Sequence, residues 1–132
     1  MQSLSENRIG KKREHYTTYN LSCFSRNLKN NLNNFYGKGD IVRIIITKLK
    51  AKKQIDPHID SGIGLELSKR VHIPIITNKN VFFYVGSEEK NMKRGEMWEI
   101  NNQKLHYVKN ESGEDRVHLI VDYFPQSGLS NK

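Results

Sequence analysis

Three features of this 132-residue sequence predict a mainly β fold, a double-sheet antiparallel jelly roll led by one short helix. From Ile41 onward, apolar residues fall into short runs rich in β-branched and aromatic side chains. Turn-forming segments such as "TNKN", "KRGE", "INNQK" and "NESGED" separate those runs. Between the runs no helical period appears, so helices do not alternate with the strands.

The elements follow in order. Residues 1–20 are polar and without period and predict a loose, basic N-terminal arm. Phe24, Leu28, Leu32 and Phe35 recur at spacings of four, four and three, which predicts an amphipathic helix from Ser22 to Tyr36, with Ser22 as N-cap and Gly37 and Gly39 ending it. Strands are expected over 41–50, 55–60, 69–77, 81–86, 95–100, 105–109 and 116–124, with Ser87 to Lys93 as a short eighth. Helix and strands make one domain, residues 21–124, and 125–132 form a C-terminal tail. Many short antiparallel strands are the arrangement that cupins share. An immunoglobulin-type sandwich lacks support, because the single cysteine, Cys23, cannot supply a pair bracketing Trp98.

Charge and hydropathy narrow the function. Mean hydropathy is −0.73 and the longest apolar runs are short, which excludes a membrane-spanning helix. The opening residues lack the apolar core of a secretory signal, so a cytoplasmic location is expected. Cys23 has no CxxC partner for a zinc site. The net charge of +8 is carried by the first part of the chain: residues 1–54 hold twelve Lys/Arg against three Asp/Glu, and residues 55–132 hold ten against eleven. The clusters Lys11–Arg13 and Lys48–Lys53 are compatible with an anionic partner, although no nucleic-acid-binding motif accompanies them.

The segment "IDPHIDSG" carries the chemistry. In a strand, side chains alternate, so His58 and Asp60 project from one face and can approach one cation together. Two histidines and one carboxylate are the donor set of a facial triad, which holds Fe(II) and leaves positions open. The third ligand comes from later in the chain: His106, opening a strand after "NNQK", is the leading candidate, and His72 and His118 are rivals. Arg70 with His72, and Arg116 with His118, form two R-x-H repeats on strands. An arginine turned into a barrel is costly unless an anion satisfies it, and a guanidinium grips a carboxylate through two parallel hydrogen bonds.

The blocks "HIDSG", "RVHIPIITN", "GEMWEINNQKLHYVKN" and "DRVHLIVDY" resemble the aspartyl/asparaginyl β-hydroxylase family of Fe(II)- and 2-oxoglutarate-dependent oxygenases, over about residues 41–124. The resemblance implies a double-stranded β-helix, with His58, Asp60 and His106 as metal ligands and catalytic centre. It implies that Arg116 pairs with the distal carboxylate of 2-oxoglutarate, and that Arg70 and His72 line the same pocket. Trp98 and Asn101 match a family motif read as structural, and Asp122 is expected to pair with a neighbouring cation. Dioxygen and a small-molecule or peptide substrate are the implied partners, the hydroxylated group being an aspartyl or asparaginyl side chain or a free amino acid. Two other readings fit parts of the sequence: a cupin-like metal-binding isomerase or small-molecule-binding protein, and a basic nucleic-acid-binding protein.

Overall fold

The computed structural model describes residues 21–62 and 64–126, with side chains from Ser25 onward; the expected arm 1–20 and the residues beyond 126 lie outside the described residues. One helix, α1 (Leu21–Tyr36), precedes eight strands: β1 (Gly39–Leu49), β2 (Gln54–His58), β3 (Lys69–Ile76), β4 (Val81–Val85), β5 (Glu88–Lys90), β6 (Trp98–Ile100), β7 (His106–Asn110) and β8 (Arg116–Pro125). They form two four-stranded sheets, ordered β1-β8-β3-β6 and β2-β7-β4-β5, and every ladder is antiparallel. This is the jelly roll expected from the strand pattern, including the short eighth strand within 87–93.

Helix α1 is described from Leu21, and its backbone is already helical at Ser22. It ends at Gly37, whose φ of +86° is a left-handed conformation and whose N–H closes on the Asn33 carbonyl at 2.8 Å. Leu28 and Leu32 are buried against Val71, Ile73, Leu119, Val121 and Tyr123, one face of the first sheet. Burying each leucine is worth about 1.5–3 kcal/mol. Phe35, expected on the same stripe, is exposed; Tyr36 docks instead, stacking on Tyr123 and donating to Glu99 at 2.7 Å. The Tyr123 hydroxyl lies within hydrogen-bond reach of both the Asn33 side chain and the Gly37 carbonyl, with one hydrogen to give, and ties the end of the helix to β8. At Gly39 a Cβ would collide with the Phe124 carbonyl oxygen and lie 2.7 Å from the Tyr123 ring, so this close approach needs glycine.

Register fixes what faces the interior. Arg43, Asp122 and Arg70 lie side by side across β1, β8 and β3, and Thr47, His118 and Pro74 repeat the arrangement four residues on. The first sheet thus turns an apolar face to α1 and a polar face to the second sheet. A second core of Leu49, Val81, Phe83, Val85, Met92, Trp98, Ile100 and Val108 fills the space between the sheets. Two expected strands are shorter than their sequence runs. β6 starts only at Trp98, because Gly95 at φ +81° and the Glu96 N–H to Lys93 carbonyl bond make a turn there. β2 stops at His58, after a register break between Ile55 and His58 and a proline that an edge strand tolerates. Asp60 therefore sits in the loop beyond β2, not on the strand.

Candidate metal centre

The ladder between β2 and β7 pairs His58 directly with His106, with ring centroids 4.3 Å apart. Each ring is oriented from its own strand. His58 Nδ1 lies 2.7 Å from the Asp56 carbonyl and His106 Nδ1 lies 2.9 Å from the Lys104 carbonyl, in both cases two residues back. A carbonyl can only accept, so each Nδ1 carries the hydrogen and each neutral ring presents a lone pair at Nε2. Both Nε2 atoms turn to Asp60 Oδ1, at 3.4 Å from His58 and 3.6 Å from His106. Among the described residues this is the one group of three such side chains with ligand atoms all within 4.8 Å of one another. Three acceptors facing one point need a cation or a proton between them, and two imidazole nitrogens with one carboxylate oxygen suit a divalent transition metal.

Asp60 is placed by its neighbours. Its N–H donates to the Asn102 carbonyl at 3.1 Å, and its Oδ2 accepts Arg70 Nη1 at 2.6 Å. The other two arms of that guanidinium, Nε and Nη2, fork onto Asp122 at 2.8 and 2.9 Å. Arg43 reaches Asp122 from the far side at 2.7 Å. Burial works against the Asp122 charge, but the hydrogen bonds from Arg70 and Arg43 outweigh it and hold its pKa below the ordinary value. Arg70 is correspondingly raised, chiefly by its bonds to Asp122. Asp122 thus pairs with cations as expected. Arg70, expected to line the cosubstrate pocket, has its guanidinium taken up by two carboxylates.

Arg116 is in the opposite condition. It is 1% exposed and has no carboxylate partner among the described residues; its Nη2 donates to His118 Nδ1 at 2.7 Å, and Nε and Nη1 are buried without a partner. Burial pushes its pKa down to about 10. Accepting that bond at Nδ1 leaves the hydrogen of neutral His118 on Nε2, which is likewise buried and unpartnered. Thr47, paired with His118 across β1 and β8, adds a buried hydroxyl without a partner. Burial and then the Arg116 charge push His118 far below the ordinary imidazole range, and the same two causes hold His72 well below it. His72 and His118, the rival ligands, lie 3.4 Å apart through their Nδ1 atoms and away from the trio. A line of rings connects the two regions: His106 stacks on Phe83 at 6.2 Å, Phe83 meets His72 edge-on at 5.1 Å, and His72 meets His118 at 5.7 Å.

Trp98 is buried between the sheets with its Nε1 on Glu96 at 2.8 Å, and Asn101 Oδ1 receives the Gln103 N–H in the turn before His106. Sequence reasoning missed Arg43, Thr47 and the carbonyls of Asp56 and Lys104. The two-residue period that singled out the R-x-H repeats also placed Arg43 and Thr47 on one face of β1. The basic run Lys48–Lys53 forms the exposed end of β1 and its turn, where the Lys52 ammonium donates to the Glu111 carbonyl at 2.6 Å.

Two antiparallel sheets with a polar interior define a cupin-like jelly-roll protein. Residues 13–125 match the model of the Aspartyl/Asparaginyl beta-hydroxylase family, and the chain belongs to that family. Among solved structures it is similar to a "Non-heme monooxygenase, ThoJ-Ni complex", with TM-score 0.55 and 11% identity over 75% of this chain and 50% of that one. This chain therefore spans half the length of that neighbour. A Cupin 2 conserved barrel domain protein from Salinispora arenicola CNS-205 matches with TM-score 0.46 and 8% identity, over 71% of this chain and 81% of that one. No curated protein matches in sequence. No helix among the described residues is long and apolar enough to cross a membrane.

Proposed function

We propose that this chain is an Fe(II)- and 2-oxoglutarate-dependent dioxygenase that hydroxylates an aspartyl or asparaginyl side chain or a free amino acid. The observation that carries the reading is the convergence of His58 Nε2, His106 Nε2 and Asp60 Oδ1, three lone-pair donors whose orientations are fixed from behind. Fe(II) and 2-oxoglutarate, when bound, supply the oxidative chemistry: dioxygen is consumed, the keto acid leaves as succinate and carbon dioxide, and one oxygen atom enters a C–H bond of the substrate.

The protein's part is binding and exclusion of water. His58, Asp60 and His106 hold the metal. Arg116, with unpartnered N–H groups at Nε and Nη1, receives the distal carboxylate, and the unpartnered Nε2–H of His118 and hydroxyl of Thr47 on the neighbouring strand are further donors for an anion there. Burial excludes competing water, which strengthens that pairing. His72, on β3, meets the rings of Phe83 and His118 edge-on between the metal ligands and Arg116, while the Arg70 guanidinium stays on Asp60 and Asp122. The buried, unpartnered Arg116 supports a diacid cosubstrate over a barrel isomerase, which has no need of such a cation.

The test is anaerobic titration of the purified protein with Fe(II) and then 2-oxoglutarate, followed by a screen of amino acids and peptides for succinate release. Iron-dependent turnover that vanishes in His106→Ala is the expected result. A protein that binds metal but never consumes 2-oxoglutarate is not a dioxygenase of this kind.

A further inference from the structure

We propose that Arg70 is a positioning residue for Asp60, a cross-sheet clamp that aims one carboxylate oxygen at the metal; the inference rests on reading His58, Asp60 and His106 as a metal centre. Asp60 lies past the end of β2, so no ladder fixes its side chain. What fixes it is the bond of Arg70 Nη1 to Oδ2 at 2.6 Å, which leaves Oδ1 turned to the two histidines. Arg70 is itself immobilised. Its Nε and Nη2 occupy both oxygens of Asp122, and Asp122 is anchored from β1 by Arg43. The clamp reaches from the interior of the first sheet to the rim of the second.

A role in gripping a free anion fits these observations poorly. Two guanidiniums, Arg43 and Arg70, meet two carboxylates, Asp60 and Asp122, so the network is charge-balanced and has no surplus to offer a ligand. Arg116, which has no carboxylate, is the interior arginine with charge to spare. The two R-x-H repeats are alike in sequence but do different work: the Arg116 pair meets an anion from outside, and Arg70 steers an internal one. Partners that orient metal ligands typically matter about 10–100-fold in metal affinity.

The test is anaerobic titration of the full chain with Co(II), read from its visible absorption, in wild type, Arg70→Gln, Asp60→Ala and the double variant. Arg70→Gln is expected to weaken Co(II) binding about 10–100-fold and alter the band, while 2-oxoglutarate affinity at saturating Co(II) stays within about twofold. In the Asp60→Ala background Arg70→Gln should add almost nothing, because the clamp then holds no ligand. Equal losses in both backgrounds, or unchanged Co(II) affinity in Arg70→Gln, overturn the proposal. If Arg70→Gln fails to fold, Arg70→Lys, which keeps the charge but not the fork, decides by the same comparison. A wild type that ignores Co(II) overturns the metal centre together with the clamp; binding that needs His58 and His106 but not Arg70 overturns the clamp alone.

Discussion

Arg116→Met should stabilise the ligand-free protein while weakening its hold on 2-oxoglutarate, and the structure sets the size of both effects. A buried guanidinium pushed down to about 10 from its ordinary range, with burial as the cause, carries a folded-state cost of ~3 kcal/mol at about 1.4 kcal/mol per tenfold in proton affinity. Methionine has similar length and no charge. The substitution also strips His118 Nδ1 of its donor, a buried loss of ~1 kcal/mol. The net gain is ~2 kcal/mol, or roughly 5–10 °C in melting temperature for a domain of this length. The guanidinium is protonated in both folded and unfolded chains below pH 10, so its cost fades only as pH rises above about 10. The gain should therefore be the same at pH 6.5 and pH 8. The cosubstrate should lose a charge-assisted pairing worth ~2–4 kcal/mol, about 30- to 1,000-fold in affinity. Thermal melts with and without 2-oxoglutarate on metal-loaded protein read both quantities. A variant that melts below wild type and binds 2-oxoglutarate equally well would show that the Arg116 charge is balanced within the fold.

Other outcomes follow from the same interior. His72 and His118 are both depressed, so the folded chain stays neutral there while the unfolded chain takes up a proton on each below its ordinary 6.5. The unfolded state then binds more protons, and stability should fall as pH drops below about 6, by up to ~2.7 kcal/mol per pH unit. Urea unfolding from pH 6.5 to 4.5 measures the slope, and His118→Phe should roughly halve it; an unchanged slope refutes the assignment. Gly39→Ala should cost ~1–3 kcal/mol, because the added methyl meets the Phe124 backbone and the Tyr123 ring that anchors α1. A urea midpoint within error of wild type would show that β1 shifts freely at that point.

The strands were legible in the sequence because turn chemistry punctuates them: "TNKN" ends β3 and "NESGED" separates β7 from β8 at the expected places. The helix was legible through Leu28 and Leu32. Periodicity could not tell that Tyr36 and not Phe35 would dock, since that depends on Tyr123, distant in sequence. For the candidate site, spacing singled out His58 and Asp60 and put His106 ahead of His72 and His118, the family resemblance completed the set, and the fold brings the three together. Strand alternation is not what unites them: His58 and Asp60 do not share a strand, and a loop and Arg70 bring the carboxylate round. The difference in partners between Arg70 and Arg116 was not readable either. Both stand at the same place in an R-x-H repeat. Only register reveals that Arg70 lies opposite Asp122 whereas Arg116 lies opposite Leu49, an aliphatic neighbour that offers no counter-charge.

The His58–His106 pair belongs to one layer of the barrel and Arg116 to the other, with the rings of Phe83, His72 and His118 between them, each meeting the next edge-on. If a diacid spans the two as proposed, the gap between the layers sets its length, and this run of rings works as a gauge block. Trimming Phe83 would then alter which carbon-chain length fits while leaving the proposed metal ligands and Arg116 in place.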